Sequence, residues 1–544
     1  MMNPRHGLLL LLFAVPGPGR GGDRDAAPGE ILSIGPSYRI RPGSVSQTEP
    51  FLAVHPGDRR VMFASANTIN LSTGFISEGV YLSTDGGATW SGKDTCTGPP
   101  VTFHRGDPGI AVDTAGTFIL IRLGFSPGLY AHYSTDRGAV WSGQRTVASE
   151  DQDRAALVSD GSLSSTFAGR TYAAWVRFSP PYPVLTCFTA DGGRTWSTPA
   201  QVNAPVQRGQ GADLAVGSDG TLFLCWAGVI GVSPFTEDFV GFARSTDGGL
   251  SWAVTESAFD MNGIQGILPQ KANIRVNGLP RIAVDRSGGP HHGWIYIVTT
   301  QKNLPPAGSD PDVILRRSTD GGLTWSGARR VHQDPVGNGK IQFFPAVCTD
   351  SGGGVNVLYY DDRRTTSDST GVFLSRSTDG GDTWTDYEAG DRRFRPQAIG
   401  GLGQGYQGDN IAIAAAGDTL RPLWMDNSTG LYQIWTSTIR ISSLGTGVGE
   451  ETRPSSAALI RNYPNPFNSS TTLGFHLEKG EDILLEVLDV SGRRVALLAG
   501  GYHPAGFHAV PFDGGRRGLA SGVYLARLVR SGGASEIIRM LLLR

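Results

Sequence analysis

The sequence predicts an all-β protein whose main domain is a seven-bladed β-propeller, followed by a small β-sandwich. Three observations predict this: a phrase of eight residues that recurs six times, a pair of apolar strands upstream of each copy, and a change of pattern near residue 460. The Asp residues of successive phrases are 51 to 73 positions apart. That spacing is too long for small helical repeats and suits four-stranded propeller blades with loops of variable length. A propeller of six blades is the alternative.

The phrase is Ser or Thr, any residue, Asp, any residue, Gly, two further residues and Trp. Its Asp and Trp residues are Asp85 and Trp90, Asp136 and Trp141, Asp191 and Trp196, Asp247 and Trp252, Asp320 and Trp325, and Asp379 and Trp384. Asp followed by Gly between apolar runs predicts a tight hairpin, because Gly tolerates the positive φ that the turn needs. The carboxylate can accept hydrogen bonds from backbone N–H groups across the turn, and the Trp ring can cover the hairpin. We interpret the phrase as structural, since six near-identical sites fit a repeated fold better than six active sites.

Seven copies of the upstream strand pair are present, and the seventh, which starts at Gly408, is not followed by the phrase. Terminal repeats are often atypical because they close or cap the array. The segment ILSIGPSYRIRPG, residues 31–43, is expected to add the strand that closes the ring. The predicted propeller therefore spans residues 30–442.

Composition argues against several classes of partner. The chain has 544 residues, with 76 Gly and 33 Pro that recur between strand-like runs. Lys and Arg total 47 against 49 for Asp and Glu, so neither nucleic acid nor an anionic membrane is indicated as a partner. The four Cys residues are scattered without C-x-x-C spacing, which predicts neither a disulfide framework nor a zinc site. No cofactor and no metal site is predicted from these patterns.

The two ends of the chain differ from the repeats. Residues 1–22 are predicted to be a signal peptide, because Arg5 precedes an apolar run that is too short to span a bilayer. An uncleaved anchor is the alternative. Residues 443–460 are rich in Gly and Ser and are interpreted as a linker. Residues 461–544 consist of short alternating strands separated by turn residues, as in a small immunoglobulin-like β-sandwich.

The tail carries a family resemblance. Its matching pieces are YPNPFN from Tyr463, LDVSGRRV from Leu488, GLASGVYLARL from Gly518 and the closing IIRMLLLR. In these it resembles the C-terminal sorting domain of the bacterial type IX secretion system. The resemblance implies that residues 461–544 are read by an outer-membrane translocon and that the protein is secreted or displayed on the cell surface. A plain immunoglobulin-like accessory domain is the alternative.

The six phrases resemble the Asp-box, or bacterial neuraminidase repeat, of sialidases and of other propellers without that activity. A sialidase-like mechanism requires arginines that clamp a carboxylate, a Tyr nucleophile polarised by a Glu, and an Asp acid/base. The family's first arginine lies in an Arg-Ile-Pro motif. The nearest pieces here, at Tyr38–Pro42 and Phe394–Pro396, both depart from that motif. No catalytic residue is therefore carried over from the family.

Geometry indicates a second place to look, because the innermost strands of a propeller line its channel and their entrances face the usual ligand site. The charged residues at or near those entrances are Glu49, Asp107, Asp153, Arg281 and Asp409. These are the catalytic candidates. A ring of carboxylates can supply an acid/base pair for glycoside chemistry or oxygen ligands for Ca²⁺. The alternative is that each carboxylate caps a local turn or pairs with a neighbouring Arg.

Two functions from different classes remain. The first is a sialidase-like propeller that binds a glycan, a polymer or a protein ligand at its funnel without catalysis. The second is an exo-glycosidase of the sialidase (exo-α-sialidase) type. The sequence favours the first, because the repeats are intact while the catalytic motifs are not. Three arginines that converge in one funnel beside a Tyr–Glu pair would reverse that order, whereas a funnel lined only by carboxylates and amides would support it.

Overall fold

The structure is a computed structural model, and it describes residues 30–96, 104–124, 126–162, 164–443, 461–463, 465–477, 479–504, 506–531 and 535–543. The predicted signal peptide and residues 444–460 of the predicted linker lie outside the described residues. Within the described ranges the chain forms 39 β-strands and one short 3₁₀ helix, so the all-β prediction is confirmed. The chain divides into two compact units, Met1–Gly445 and Thr446–Arg544.

Two short strands, β1 (Glu30–Ile34) and β2 (Tyr38–Arg39), precede a series of antiparallel four-stranded sheets. Sheet 1 contains β3 (Ser46–Val54), β4 (Met62–Asn70), β5 (Phe75–Ser83) and β6 (Ser91–Lys93). Sheet 2 contains β7 (Gly109–Val112), β8 (Phe118–Leu123), β9 (Gly128–Ser134) and β10 (Arg145–Ser149). Sheet 3 contains β11 (Ala156–Ser159), β12 (Thr171–Val176), β13 (Val184–Thr189) and β14 (Ala200–Gln201). Sheet 4 contains β15 (Arg208–Val216), β16 (Leu222–Val229), β17 (Glu237–Ser245) and β18 (Ala253–Asp260).

A small hairpin interrupts the series between sheets 4 and 5. It consists of β19 (Gly266–Leu268), the 3₁₀ helix Pro269–Lys271 and β20 (Ile274–Val276). Sheet 5 then contains β21 (Arg281–Val284), β22 (Ile295–Gln301), β23 (Asp312–Ser318) and β24 (Arg329–Arg330). Sheet 6 contains β25 (Gln342–Thr349), β26 (Val355–Asp361), β27 (Gly371–Ser377) and β28 (Thr385–Glu388). The inserted hairpin contributes to the longest spacing between phrases, the 73 residues from Asp247 to Asp320.

Sheet 7 is built from both ends of the first unit. Its C-terminal strands are β29 (Ala412–Ala416), β30 (Thr419–Asp426), β31 (Gln433–Thr436) and β32 (Ile439–Ser443). Strands β31 and β32 pair with opposite halves of β30. On their outer edges, β31 pairs with β2 and β32 pairs with β1. The expectation that residues 31–43 add a closing strand is confirmed, since β1 and β2 together supply the outermost strand of this sheet.

The sheets of the first unit form a closed ring. The first strand of each sheet contacts the first strand of the next, from β3 through β7, β11, β15, β21 and β25 to β29, and β29 contacts β3. This is the arrangement of a β-propeller, with the innermost strands around a central channel. The apolar cores lie between neighbouring sheets, and fully buried Trp175, Trp226 and Trp424 are among their largest side chains.

The second unit has its own core between two sheets. Its strands are β33 (Arg461–Tyr463), β34 (Ser470–Leu477), β35 (Glu481–Asp489), β36 (Arg494–His503), β37 (Gly506–Asp513), β38 (Gly522–Arg530) and β39 (Ser535–Leu542). One sheet has the order β33-β34-β37 and the other β36-β35-β38-β39. Both sheets contribute to a core that includes Phe475, Leu485 and Met540. In the described part of the chain, no helix is long and apolar enough to cross a bilayer.

Candidate functional site

The antiparallel order of each sheet places two kinds of connection at opposite ends of the ring. In sheet 1, Ser46 pairs with Ile69 and Asn70 pairs with Phe75. The start of the innermost strand, the end of the second and the start of the third therefore lie at one end. The turn that contains Asp85 follows the third strand and lies at the other end. Residues at the strand entrances can share one site that the Asp phrases do not reach.

A cavity of about 550 Å³ opens at the entrance end. Its lining residues are Glu49, Asp107, Asp153, Arg154, Phe178, Arg208, Gln210, Gly211, Phe235, Gln265, Arg275, Val276, Asn277, Leu279, Arg281, Gln404, Tyr406 and Asp409. The structure thus brings all five sequence-predicted candidates, Glu49, Asp107, Asp153, Arg281 and Asp409, into one cavity. We call it the channel cavity. Its volume falls within the usual range for small-molecule sites, about 300–1,000 Å³.

A left-handed residue recurs where the innermost strands enter the ring. The φ angle is 55° at Glu49, 56° at Asp107, 64° at Gly211 and 52° at Phe344, in four different sheets. Next to Glu49, Gly211 and Phe344 the register of strand pairing shifts, which is the mark of a β-bulge. Positive φ is unfavourable for a residue with a Cβ, and bulges commonly re-aim side chains next to active sites. The backbone at Glu49 and Asp107 is therefore bent at the point where both side chains line the cavity.

The buried Glu49 and the half-buried Tyr406 are neighbours in the cavity wall. Only 4% of Glu49 is exposed. Burial, followed by the nearby carboxylates of Asp409 and Asp107, raises the pKa of Glu49 well above its usual value, while the neighbouring Tyr406 hydroxyl partly opposes this shift. Burial, followed by the carboxyl groups of Glu49 and Asp107, also raises the pKa of the Tyr406 phenol. Both shifts favour the protonated forms of the two groups.

Asn67 connects Tyr406 to Asp107. Its Nδ2 donates to the Tyr406 hydroxyl and to Asp107 Oδ1, at 3.1 Å in each case, and its Oδ1 accepts from the Asp107 backbone N–H at 2.6 Å. The Tyr406 hydroxyl also lies 3.1 Å from Thr48 Oγ1. Burial raises the pKa of Asp107 to about 6, against the effect of the Asn67 hydrogen bond. A carboxyl group with such a pKa can hold or release a proton near neutrality, as a general acid or base must.

Arg275 comes from the inserted hairpin and reaches across to the loop that carries Tyr406. Its Nη2 lies 3.2 Å from Asp409 Oδ2, and its guanidinium carbon lies 5.1 Å from the centre of the Tyr406 ring. The Arg275 backbone N–H donates to Gly405 O at 2.8 Å. The hairpin and the Tyr406 loop therefore hold each other in place.

Three further arginines line the cavity without a carboxylate at ion-pair distance among the described residues: Arg154, Arg208 and Arg281. Arg281 Nη2 donates to Asn410 Oδ1 at 2.6 Å, but its Nη1 is buried and has no protein partner in the described chain. The guanidinium carbon of Arg154 lies 4.7 Å from the Phe51 ring. Buried guanidinium groups require hydrogen-bond acceptors, and carboxylates match their geometry. The cavity is thus suited to an anionic ligand.

Sequence reasoning missed Arg208, Arg275 and Phe178 as lining residues. The long spacing before Asp320 was the available signal for Arg275, because it marks the inserted hairpin. Tyr406 is an aromatic side chain in the cavity lining, whereas the aromatic residues near the ends of other inner strands, Trp226, Tyr359, Tyr360 and Trp424, are buried in the cores between sheets. The two segments compared with the Arg-Ile-Pro motif, Tyr38–Pro42 and Phe394–Pro396, lie outside the cavity lining, which includes neither Arg39 nor Arg395.

The six Asp phrases occupy separate turns at the opposite end of the ring. In the first, Ser83 Oγ donates to Asp85 Oδ1 at 2.8 Å, the Thr89 backbone N–H donates to the same oxygen at 2.9 Å, and the Gly87 N–H donates to Ser83 Oγ at 2.7 Å. Equivalent bonds occur in the other five copies. The carboxylates are thus engaged within their own turns.

Metal and thiol chemistry find no support at the channel cavity. Among the residues that the structure describes, no three His, Cys, Asp or Glu side chains are arranged to hold a metal ion. We therefore do not assign Ca²⁺ to the ring of carboxylates. The four cysteines are free thiols, and none of them lines the cavity.

Comparison with known proteins does not identify a family. No protein-family model and no curated protein matches this chain. Among solved structures, a protein of unknown function from Dyadobacter fermentans DSM 18053 is similar with a TM-score of 0.45 and 12% identity, over 76% of this chain and 99% of that one. A polysaccharide lyase of family PL25, an ulvan lyase, has a TM-score of 0.44 and 11% identity, over 73% and 96%. A leech intramolecular trans-sialidase has a TM-score of 0.37 and 13% identity, over 63% and 68%. Similarity at this level does not indicate a function.

Proposed function

We propose that this protein is a glycan-active β-propeller that binds an acidic sugar in the channel cavity and hydrolyses its glycosidic bond, as an exo-glycosidase of sialidase-like type. One observation carries the proposal. Arg154, Arg208 and Arg281 all line the cavity that contains Tyr406 near Glu49, and none of the three has a carboxylate at ion-pair distance among the described residues. The sequence alone favoured binding without catalysis. Converging arginines beside a Tyr–Glu pair were the arrangement expected to reverse that preference.

The residues of the cavity divide into two chemical roles. Arginines offer paired N–H donors that match the two oxygens of a carboxylate, so Arg154 and Arg281 bind the acidic group of the reacting sugar and orient it. Asp107, whose pKa is raised to about 6, donates a proton to the leaving oxygen and later accepts one. Tyr406 becomes a nucleophile when a neighbouring base takes its proton. Glu49 is the carboxyl group in that position, and it acts as this base in its ionised form, so the step requires a pH above the raised pKa of Glu49.

We further propose how the chain is organised and exported. The ring of sheets 1–7 is a seven-bladed propeller whose Asp phrases are structural clamps at the end remote from the cavity. Residues 1–22 are a signal peptide, residues 443–460 are a linker, and residues 461–544 are an immunoglobulin-like sorting domain for the type IX secretion translocon. The protein is then secreted or held at the bacterial surface, where polymeric glycans are accessible.

Hydrolysis is tested with a panel of fluorogenic glycosides that includes a sialoside and a glucuronide. We expect fluorophore release by the wild type from an acidic glycoside, and a loss of about 10²-fold or more in kcat for Asp107→Asn and Tyr406→Phe. Asp418→Asn, an exposed carboxylate at the opposite end, and Tyr502→Phe, an exposed phenol in the second unit, are the matched controls. Equal activity in Asp107→Asn and Asp418→Asn would contradict the assignment.

Binding without catalysis is the second candidate, and a specific observation favours it. Arg275 is paired with Asp409, and Arg281 is bonded to Asn410. Some of the N–H donors that line the cavity therefore bind protein groups and are not available to a substrate. Titration calorimetry with sialic acid, glucuronate and galacturonate separates the two candidates. Saturable binding together with no turnover of any glycoside would establish the binding protein instead of the enzyme. Neither binding nor turnover would exclude both.

A further inference from the structure

Arg208 occupies a part of the channel cavity with its own architecture. It is the first residue of β15 in sheet 4. Its guanidinium carbon lies 4.5 Å from the ring of Phe178, 4.6 Å from that of Tyr182 and 4.7 Å from that of Phe235. Three aromatic contacts hold the flat guanidinium in place by cation–π attraction and packing. The group is therefore fixed in position before any ligand arrives.

The guanidinium of Arg208 lacks the partners that usually satisfy an arginine. Among the described residues it donates no side-chain hydrogen bond and has no carboxylate at ion-pair distance, and its Nε is buried. The carboxylate of Asp153 acts on it only from a longer distance. Aromatic rings stabilise the charge but leave the N–H donors unsatisfied in the plane of the group. Such an arrangement is matched by a ligand that offers two oxygens in that plane.

Aromatic and amide groups around Arg208 are suited to a sugar ring. Phe178, from the loop between β12 and β13, is 43% exposed although it is a large apolar side chain. Phe235, from the loop between β16 and β17, lines the same cavity and has a φ of 65°. Gln210 Oε1 and Gln265 Oε1 also line this cavity and are buried without donors in the described chain. Apolar ring faces together with unpaired acceptors are what the faces and hydroxyl groups of a sugar require.

We propose that Arg208, Phe178 and Phe235 form a second sugar subsite, which binds a carboxylate-bearing unit next to the unit held beside Asp107. The ligand is then an acidic oligosaccharide with anionic groups on successive units. This inference rests on the proposed function, namely that the channel cavity binds acidic sugars. It adds the length and the charge pattern of the glycan, which neither the Asp phrases nor the carboxylate ring indicates.

Calorimetric titration with galacturonate, digalacturonate and trigalacturonate tests the subsite without any need for turnover. For the wild type we expect affinity to rise at least about tenfold from the monosaccharide to the disaccharide. Arg208→Gln should lose most of that gain and leave the affinity for galacturonate within about twofold. Arg208→Lys should recover only part of the gain, since an ammonium group lacks the planar pair of donors.

Two further variants distinguish a loss of binding from a loss of folding. Phe178→Ala removes an exposed ring, while Tyr182 and Phe235 still pack against Arg208. It should therefore lower disaccharide affinity with little change in the melting temperature. Arg145→Gln, an exposed arginine of β10, is the matched control and should bind like the wild type.

The outcomes separate this inference from the proposed function. Equal wild-type affinity for the monosaccharide and the disaccharide overturns the second subsite alone. An equal loss of affinity for galacturonate and digalacturonate in Arg208→Gln also overturns the second subsite, because that result places Arg208 at the first sugar. No binding of any of the three galacturonate ligands overturns the inference, and if sialic acid and glucuronate also fail to bind, the assignment of the cavity to acidic sugars is overturned with it.

Discussion

At the scale of single residues, the channel cavity depends on charges that have been removed from water. Burial raises the pKa of Asp107 to about 6 and raises the pKa of Glu49 and of Asp153. Burial lowers the pKa of Arg281, and the charge of Arg154 adds to this effect. A ligand with a carboxylate relieves the repulsion between the arginines, and the raised pKa values of Glu49, Asp107 and Asp153 reduce the negative charge that would oppose it. The same buried groups that cost stability thereby prepare the site for an anion.

The raised pKa of Asp107 predicts how stability depends on pH. The folded state binds this proton more tightly than the unfolded state, so its contribution to stability is present at low pH and is lost as the pH rises through about 6. Between pH 5 and pH 7.5 the melting temperature of the wild type should fall relative to Asp107→Asn, by on the order of 2 °C. Asn tolerates the left-handed conformation at this position, so the variant isolates the charge. The prediction is wrong if the melting temperatures of the two proteins change by the same amount between pH 5 and pH 7.5.

At the scale of elements, the inserted hairpin β19–β20 determines where Arg275 lies. Its 3₁₀ helix ends at Lys271, which is fully buried and donates to Asp362 Oδ2 at 2.6 Å, to Ser367 O at 2.6 Å and to Ser369 O at 2.8 Å. These acceptors belong to sheet 6 and its loop, although the hairpin leaves the chain between sheets 4 and 5. A buried ion pair with this many hydrogen bonds fixes the hairpin against a distant part of the ring.

Breaking the Lys271–Asp362 pair should therefore affect both stability and binding. Lys271→Met leaves the Asp362 carboxylate buried without its cation, which should cost about 3–5 kcal/mol of the free energy of unfolding. Galacturonate affinity should fall as well, because Arg275 and the Tyr406 loop lose their support. The test is a double-mutant cycle, in which urea denaturation gives the free energy of unfolding of the wild type, Lys271→Met, Asp362→Leu and the double variant. The double variant should recover much of the lost stability, and strictly additive losses would contradict the pairing.

The Asp phrases should act on stability alone. Hydrogen bonds from Thr324 and Ser318 lower the pKa of Asp320 to about 2, and these bonds are lost in Asp320→Ala. We expect a loss of about 1 kcal/mol in the free energy of unfolding and no change in ligand affinity, because the turn lies at the end of the ring remote from the cavity. Asp418→Ala is the matched control. A change in affinity for Asp320→Ala that exceeds the control would show that the phrase takes part in binding.

At the scale of the whole molecule, the two ends of the first unit close the ring within sheet 7. Strands β1 and β2 cover the outer edges of β32 and β31, so their loss exposes unpaired backbone groups along that sheet. Deletion of residues 30–43 should lower the melting temperature and promote self-association, as measured by thermal melting and size-exclusion chromatography. Removal of residues 1–22 alone is the control. A monomeric deletion variant with unchanged melting temperature would mean that this strand is dispensable.

Much of the architecture was predictable because its signals are local. The turn chemistry of Asp85 and Gly87 depends on residues within a few positions of each other, and the alternation of apolar residues in each strand depends only on the strand. Because the ring repeats this unit, the positions of Glu49, Asp107 and Asp409 at strand entrances followed from the repeat. The blade-like order therefore indicated where to look for a site, but not which charges are paired.

What the sequence by itself determined is the repeated β architecture, its turn residues and the ring of charged positions around a channel. Only the tertiary structure decided that Tyr406 lies against Glu49, that Arg275 crosses from an inserted hairpin, and that Arg208 sits among three aromatic rings. The physical reason is the range of the interactions. A turn is closed by bonds between neighbours in the chain, whereas the cavity is assembled from side chains that are far apart in sequence and meet only when the ring has closed.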